Sequence, residues 1–323
     1  MARSNTVVRR FIDGQGDSMD VFKCEADGAE FFRPTMRGVK PLFCPDHAPI
    51  IAPKVRKVET EETHETEDGD GIARHYQWDN LIAFLLSSTP TVPVQPYLYG
   101  EPGTGKTFTA GLAAKELGIP FRAESCSIGG TEVDFFGFID ANGNYHRTAF
   151  RDVWENGGLF LADELDKASP YVLSKLNAAF ASASGQAIEF PDGPVPRHPD
   201  CLIIGAGNTD MRGGTERFHT SQPVDAATMT RFAFLEWGFD EAFEFTLVGA
   251  KHKSWVKRIQ KIRKAVHETA NIAANVNTSP RAILMGAAMR DAGIAPDRIE
   301  DATVWQGVNP DTRRTIASAA GIA

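Results

Sequence analysis

Cysteine is scarce in this sequence. Four in 323 residues do not make a disulfide framework, and a reducing, cytoplasmic setting is the default expectation. No apolar run approaches the ~18 residues of a membrane-spanning helix, so no membrane association is expected. The first residues, MARSNTVVRRF, lack the apolar core of a signal peptide. Positive charge is not in excess. Lys and Arg total 34 against 42 Asp and Glu, a net charge of −8, which argues against broad, non-specific binding of nucleic acid. No internal repeat or low-complexity tract is visible. A hydrophobic content of 42% supports a sizeable core, and the length allows two domains or one with an appendage.

The most informative stretch is GEPGTGKT: Gly100, Glu101, Pro102, Gly103, Thr104, Gly105, Lys106 and Thr107. It fits the phosphate-binding pattern G-x-x-x-x-G-K-S/T without a mismatch. Its glycines let several N–H groups turn inward toward phosphate oxygens. Lys106 adds a cation for the terminal phosphates, and the Thr107 hydroxyl suits Mg2+. An apolar strand, Tyr97–Tyr99, precedes the loop, and a helix starting near Phe108 follows it and stops at Gly118. Strand, glycine loop and helix is the arrangement that phosphate binding requires.

Hydrolysis needs a metal carboxylate and a group that orients water. Leu159-Phe160-Leu161-Ala162 reads as a buried strand with Asp163 and Glu164 at its C-terminal end, where open α/β sheets bind ligands. Asp163 is the Mg2+ candidate and Glu164 the candidate that polarises water. The strand 202–206 leads to Asn208, a neutral amide able to hold water or the γ-phosphate.

The chain divides by composition. Residues 1–55 form a small module. Residues 56–72, with the run Glu59–Gly71, are acidic and read as a linker. From 73 to 240, strands (97–99, 121–124, 159–162, 202–206, 233–237) alternate with helical patterns. This implies an α/β fold with a parallel sheet between helices. Residues 241–323 read as helical. Trp255, Ile259, Ile262 and Val266 form one buried stripe, and Lys257, Arg258, Lys261, Arg263 and Lys264 are assigned to the opposite, basic face. A helix capped by Thr278-Ser279-Pro280 follows, and another after Asn309-Pro310. Phe136–His146 reads as a hairpin with an Asn-Gly turn, and Ala187–Arg197 as a second hairpin. Phe135, Phe136 and Phe138 are either exposed grip residues or core.

In the first module, Cys24-x-x-Asp27 and Cys44-Pro-Asp-His47 have the spacing of a zinc ribbon with Asp and His in place of two thiolates. The alternative is a β-hairpin module with phenylalanines packed around free thiols.

Phosphate loop, Asp-Glu strand, Asn-terminated strand and helical tail, in this order, resemble an AAA+ ATPase of the MoxR, CbbQ/NorQ and CobS group, the dynein-related branch. Four segments carry the finer resemblance: Gly129–Asp140, Asn156–Phe180, Gln222–Phe232 and Thr278–Ala282. They span about 90 to 290; the first 55 residues do not share it. Asp166 departs from the family text, where asparagine is usual.

The resemblance implies a five-stranded P-loop core with a C-terminal helical lid, working with ATP and Mg2+ as a ring of identical chains, expected as a hexamer. It implies that Arg231 is an arginine finger acting on a neighbour's ATP, with Arg217 a second candidate, and that Arg281 is the second sensor. The implied partner is a client or adaptor protein, in the resembled group often one with a von Willebrand-type domain. Two other readings stay open: a nucleic-acid-directed motor or loader, and a nucleotide-dependent assembly module with little turnover.

Overall fold

The computed structural model describes residues 6–12, 18–23, 30–34, 74–214, 221, 223–269 and 276–322. Among the first residues, β1 (Thr6–Ile12), β2 (Ser18–Lys23) and β3 (Glu30–Pro34) form an antiparallel sheet in sequence order. Cys24, Asp27, Cys44, His47, the acidic run and Arg217 lie outside the described residues.

The next elements are α1 (Trp78–Ser87), β4 (Pro96–Tyr99), α2 (Lys106–Leu117), β5 (Phe121–Ser125), α3 (Val133–Phe136), β6 (Phe138–Ile139), β7 (Tyr145–His146), α4 (Ala149–Asn156) and β8 (Gly158–Asp163). After them come α5 (Pro170–Ala181), β9 (Ala187–Phe190), β10 (Gly193–Pro196), β11 (Cys201–Gly207), α6 (Ala226–Met229) and β12 (Ala233–Glu236). The main sheet has five strands in the order β12-β4-β11-β8-β5, and every pairing is parallel.

Its central strands are near-continuous apolar runs because both faces are covered. Side chains on β8 alternate between two cores. Leu159 and Leu161 pack with Trp78, Leu81, Ala110, Ala114 and Trp237 on one face. Phe160 and Ala162 pack with Phe150, Trp154, Leu176 and Phe180 on the other. Complete burial of Phe160 contributes about 1.5–3 kcal/mol. Helix starts follow local chemistry. Thr148 caps α4 by accepting from Arg151 N at 3.1 Å. Ser169 caps α5 ahead of Pro170, accepting from Val172 N at 3.3 Å.

The remaining elements are α7 (Glu241–Glu244), α8 (Lys253–Glu268), α9 (Pro280–Asp291), α10 (Pro296–Thr303) and α11 (Pro310–Ala319). They close a third core around Trp255, Ile259, Ile262, Val266, Ile283 and Ile316. The buried stripe of α8 is as its spacing predicts, but its basic face is not. Lys257, Lys261 and Lys264 are exposed, whereas Arg263 is buried. Its Nη2 lies 2.5 Å from Glu244 Oε1 and 2.6 Å from Thr278 O. Arg258 pairs with Glu300. An arginine stem fits at the edge of an apolar stripe when a carboxylate meets its head, and the 3.6-residue period alone does not reveal that partner.

Ser279 is the N-cap of α9 by position, but its side chain makes no cap bond. Its Oγ donates to Asn277 Oδ1 at 2.8 Å instead. Both hairpins are present, β6–β7 and β9–β10. Of the three phenylalanines weighed as grip residues, Phe135 and Phe136 are core and only Phe138 is exposed. No helix among the described residues is long and apolar enough to cross a membrane.

Candidate nucleotide site

The loop 100–105 leaves β4 at the C-terminal edge of the sheet and enters α2 at Lys106. Gly103 and Gly105 have φ of 81° and 90°, the left-handed region that side chains resist. Gly103 also sits against the start of α9: a Cβ there would lie 2.9 Å from Ser279 Cβ and 3.5 Å from Arg281 Cβ. Thr104 is buried and its hydroxyl donates to Glu101 O at 2.9 Å. Pro102 and the side chain of Phe108 are exposed.

Lys106 is buried. Its Nζ donates to Gly100 O at 2.7 Å and Glu101 O at 3.0 Å, and lies 3.4 Å from Asn208 Oδ1. Burial lowers its pKa to about 8, against the opposing pull of Asp163, Asp166, Glu101 and Glu164. The ammonium curls back onto its own loop, so a phosphate would compete with two carbonyl oxygens for it.

Asp163 ends β8. Its Oδ2 accepts from Thr107 Oγ1 at 2.6 Å and its Oδ1 accepts from Glu164 N at 2.9 Å. Hydroxyl and carboxylate together are the hard oxygen donors that Mg2+ takes. Glu164 has a φ of 52°, a left-handed conformation that costs a non-glycine residue about 1–3 kcal/mol and is found at functional sites. Its carboxylate lies 2.5 Å from Lys167 Nζ and 3.4 Å from Ser125 Oγ. Asn208 stands just past β11. The ends of β4, β8 and β11 thus gather Lys106, Thr107, Asp163, Glu164 and Asn208 in one place.

Residues 96–218, from the first residue of β4 onward, match the family model for AAA, the ATPase family associated with various cellular activities. Solved structures similar to the chain include NtrX from Brucella abortus, at 15% identity and a TM-score of 0.41, covering 72% of this chain and 50% of that chain. A second NtrX structure, in complex with ATP, has 14% identity and a TM-score of 0.40, covering 79% and 54%. The chain spans about half the length of these two chains.

Arg231 and Arg281 make no side-chain hydrogen bond or ion pair with this cluster among the described residues. Arg231 follows α6 and is exposed, and its guanidinium makes no hydrogen bond or ion pair with another described residue. Arg281, in the first turn of α9, is exposed with its Cβ near the loop at Gly103. Three side chains around this site were not assigned from the sequence: Ser125, Lys167 and, as a structural element, Asp166. The i, i+3 spacing of Glu164 and Lys167 is a readable signal. Ser125 comes from a neighbouring strand, and only the sheet order brings it there.

Proposed function

We propose that this chain hydrolyses ATP as a ring of identical subunits, expected to number six, and uses the resulting motion to remodel or activate a partner protein. The observation that carries the reading is the Thr107–Asp163 bond of 2.6 Å. It joins the phosphate loop to the carboxylate strand where a bound metal would be needed. Thr107 and Asp163 are the residues that would hold Mg2+, and the loop N–H groups and Lys106 would hold the phosphates. Mg2+ bound with ATP supplies neutralisation of the charge on the transferring phosphoryl oxygens.

Glu164 orients and polarises the attacking water once it leaves Lys167. Asn208 holds that water or the γ-phosphate without adding negative charge beside Glu164. Arg231, exposed and with a guanidinium that has no partner among the described residues, acts on the ATP of a neighbouring copy. Arg217 is the second candidate for that contact. Arg281 links the lid to the nucleotide, as its place next to Gly103 supports.

The partner reading rests on the MoxR-like segments, and a protein with a von Willebrand-type domain is the client class it favours. A nucleic-acid-directed motor is the second reading. The exposed Lys257, Lys261 and Lys264 favour it, but Arg258 and Arg263 are tied to carboxylates. Zn2+ on Cys24, Asp27, Cys44 and His47 is part of the proposal for the first module, and metal analysis of purified protein tests it.

The deciding experiment is steady-state ATP hydrolysis across a protein concentration series. Specific activity should rise as rings form, and DNA or RNA should leave it unchanged. An absence of Mg2+-dependent turnover at every concentration would overturn the reading, leaving the assembly-module alternative.

A further inference from the structure

Asp166 is fully buried, in the short turn after Glu164. One of its oxygens is saturated. Oδ2 accepts from Asn208 N and Thr209 N at 3.1 Å each, from Thr209 Oγ1 at 2.9 Å and from Ser221 Oγ at 2.8 Å. The other, Oδ1, is buried without a partner. The space for it exists because residue 207 is glycine: a Cβ there would lie 2.8 Å from Oδ1 and would overlap the Tyr97 hydroxyl. Tyr97 in turn donates to Thr209 O at 2.9 Å.

A buried carboxylate is costly unless its donors are fixed. These donors come from two segments besides its own. Asn208 and Thr209 directly follow β11. Ser221 belongs to the segment that returns to Met211 through Val224 N at 2.9 Å and then enters α6. That helix is held by Asp225 accepting from Thr228 N at 2.9 Å and by Asn177 Nδ2 donating to Thr228 Oγ1 at 2.7 Å, and Arg231 follows it. One oxygen therefore ties the turn after Glu164, the backbone of Asn208 and the approach to Arg231.

We propose that Asp166 is a positioning residue for ATP hydrolysis: it sets Asn208 and the Arg231 segment in register with Glu164 and takes no part in holding nucleotide. This rests on the hydrolysis reading above. The geometry also says which substitution is tolerated. No donor among the described residues faces Oδ1, so in Asp166→Asn the amide oxygen can take the four-donor place and the NH2 group the vacant side. Asp166→Ala leaves all four donors without their acceptor.

The test compares kcat, ATP Kd and Tm for the full chain and for Asp166→Ala, Asp166→Asn and Ser221→Ala. Asp166→Ala should lose about tenfold or more in kcat with ATP Kd within about threefold, a split that reports a transition-state role. Asp166→Asn should recover most of kcat. Ser221→Ala should lose about threefold in kcat at unchanged Kd. Wild-type kcat in Asp166→Ala, or a parallel loss of Kd and kcat, would overturn the proposal. If Asp166→Ala does not fold, Ser221→Ala decides, and an unchanged kcat there overturns it. Wild-type protein without turnover would sink the hydrolysis reading and this proposal with it.

Discussion

The Thr107 hydroxyl donates to Asp163 Oδ2 at 2.6 Å across 56 residues of sequence, joining the first residues of α2 to the last residue of β8. In Asp163→Asn the metal side of the site loses its negative charge but keeps its shape. Turnover at millimolar Mg2+ should fall by about tenfold or more, with partial recovery at higher Mg2+. Titration of activity against Mg2+ measures this, and an unshifted curve counts against the metal assignment.

Glu164→Gln removes the group that polarises water and leaves the loop intact. ATP binding should be retained while kcat drops by about 10²–10⁴. Equilibrium binding and single-turnover rates on the same protein separate the two. Unchanged turnover would exclude Glu164 from the chemistry. Lys106→Ala, by contrast, should lose ATP binding itself.

The lowered pKa of Lys106, about 8, predicts a pH dependence for binding. The ammonium is the phosphate-binding form, so protons favour ATP. Affinity should be level below pH 8. Above it, Kd should rise by up to about tenfold per pH unit as free Lys106 loses its proton, because each binding event must then restore it. Calorimetry from pH 7 to 9.5 tests this. Flat affinity across that range would mean that Lys106 stays charged without nucleotide.

Arg231→Ala should lower kcat by about 10³ or more with little change in ATP binding. If Arg231 acts on a neighbour, mixtures with Glu164→Gln protein should regain activity, because some interfaces then pair an intact Glu164 with an intact Arg231. Mixtures no more active than their components would place Arg231 outside the inter-subunit site.

Arg263 and Glu244 form a buried pair, with side chains 5% and 1% exposed, and the guanidinium also covers the Phe239 ring at 3.8 Å. Arg263→Ala leaves Glu244 buried and unpaired, a loss of about 3–5 kcal/mol. Denaturant unfolding followed through tryptophan fluorescence should show it. Replacing both partners with apolar residues of similar size should cost much less.

The strands were the most legible part of the fold. The run Leu159–Ala162 is apolar because a parallel strand covered on both faces has no polar side, and its acidic end lies at the C-terminal edge of the sheet. The octapeptide loop and Asp163 were readable for a similar reason: their chemistry needs particular residue types at fixed spacing. Arg263 was misplaced because helical periodicity assigns a face and not a partner. Ser125 could not be found without the neighbouring order of β5 and β8. Asp166 stood out in the sequence only as an acid where an amide is usual. Its four donors come from segments that meet only after folding.

The close approach of Gly103 to Ser279 has a thermodynamic consequence. The loop that would cradle phosphate lies so close to the start of α9 that a Cβ at residue 103 would not fit between them, so a movement of one bears on the other. Reciprocity then applies: whatever factor a bound phosphate imposes on the docking equilibrium of α9, a change in that equilibrium imposes on phosphate affinity. A helix-weakening substitution at the exposed Leu284 or Met285, about one and a half turns past Ser279, would then be read as a change in nucleotide affinity.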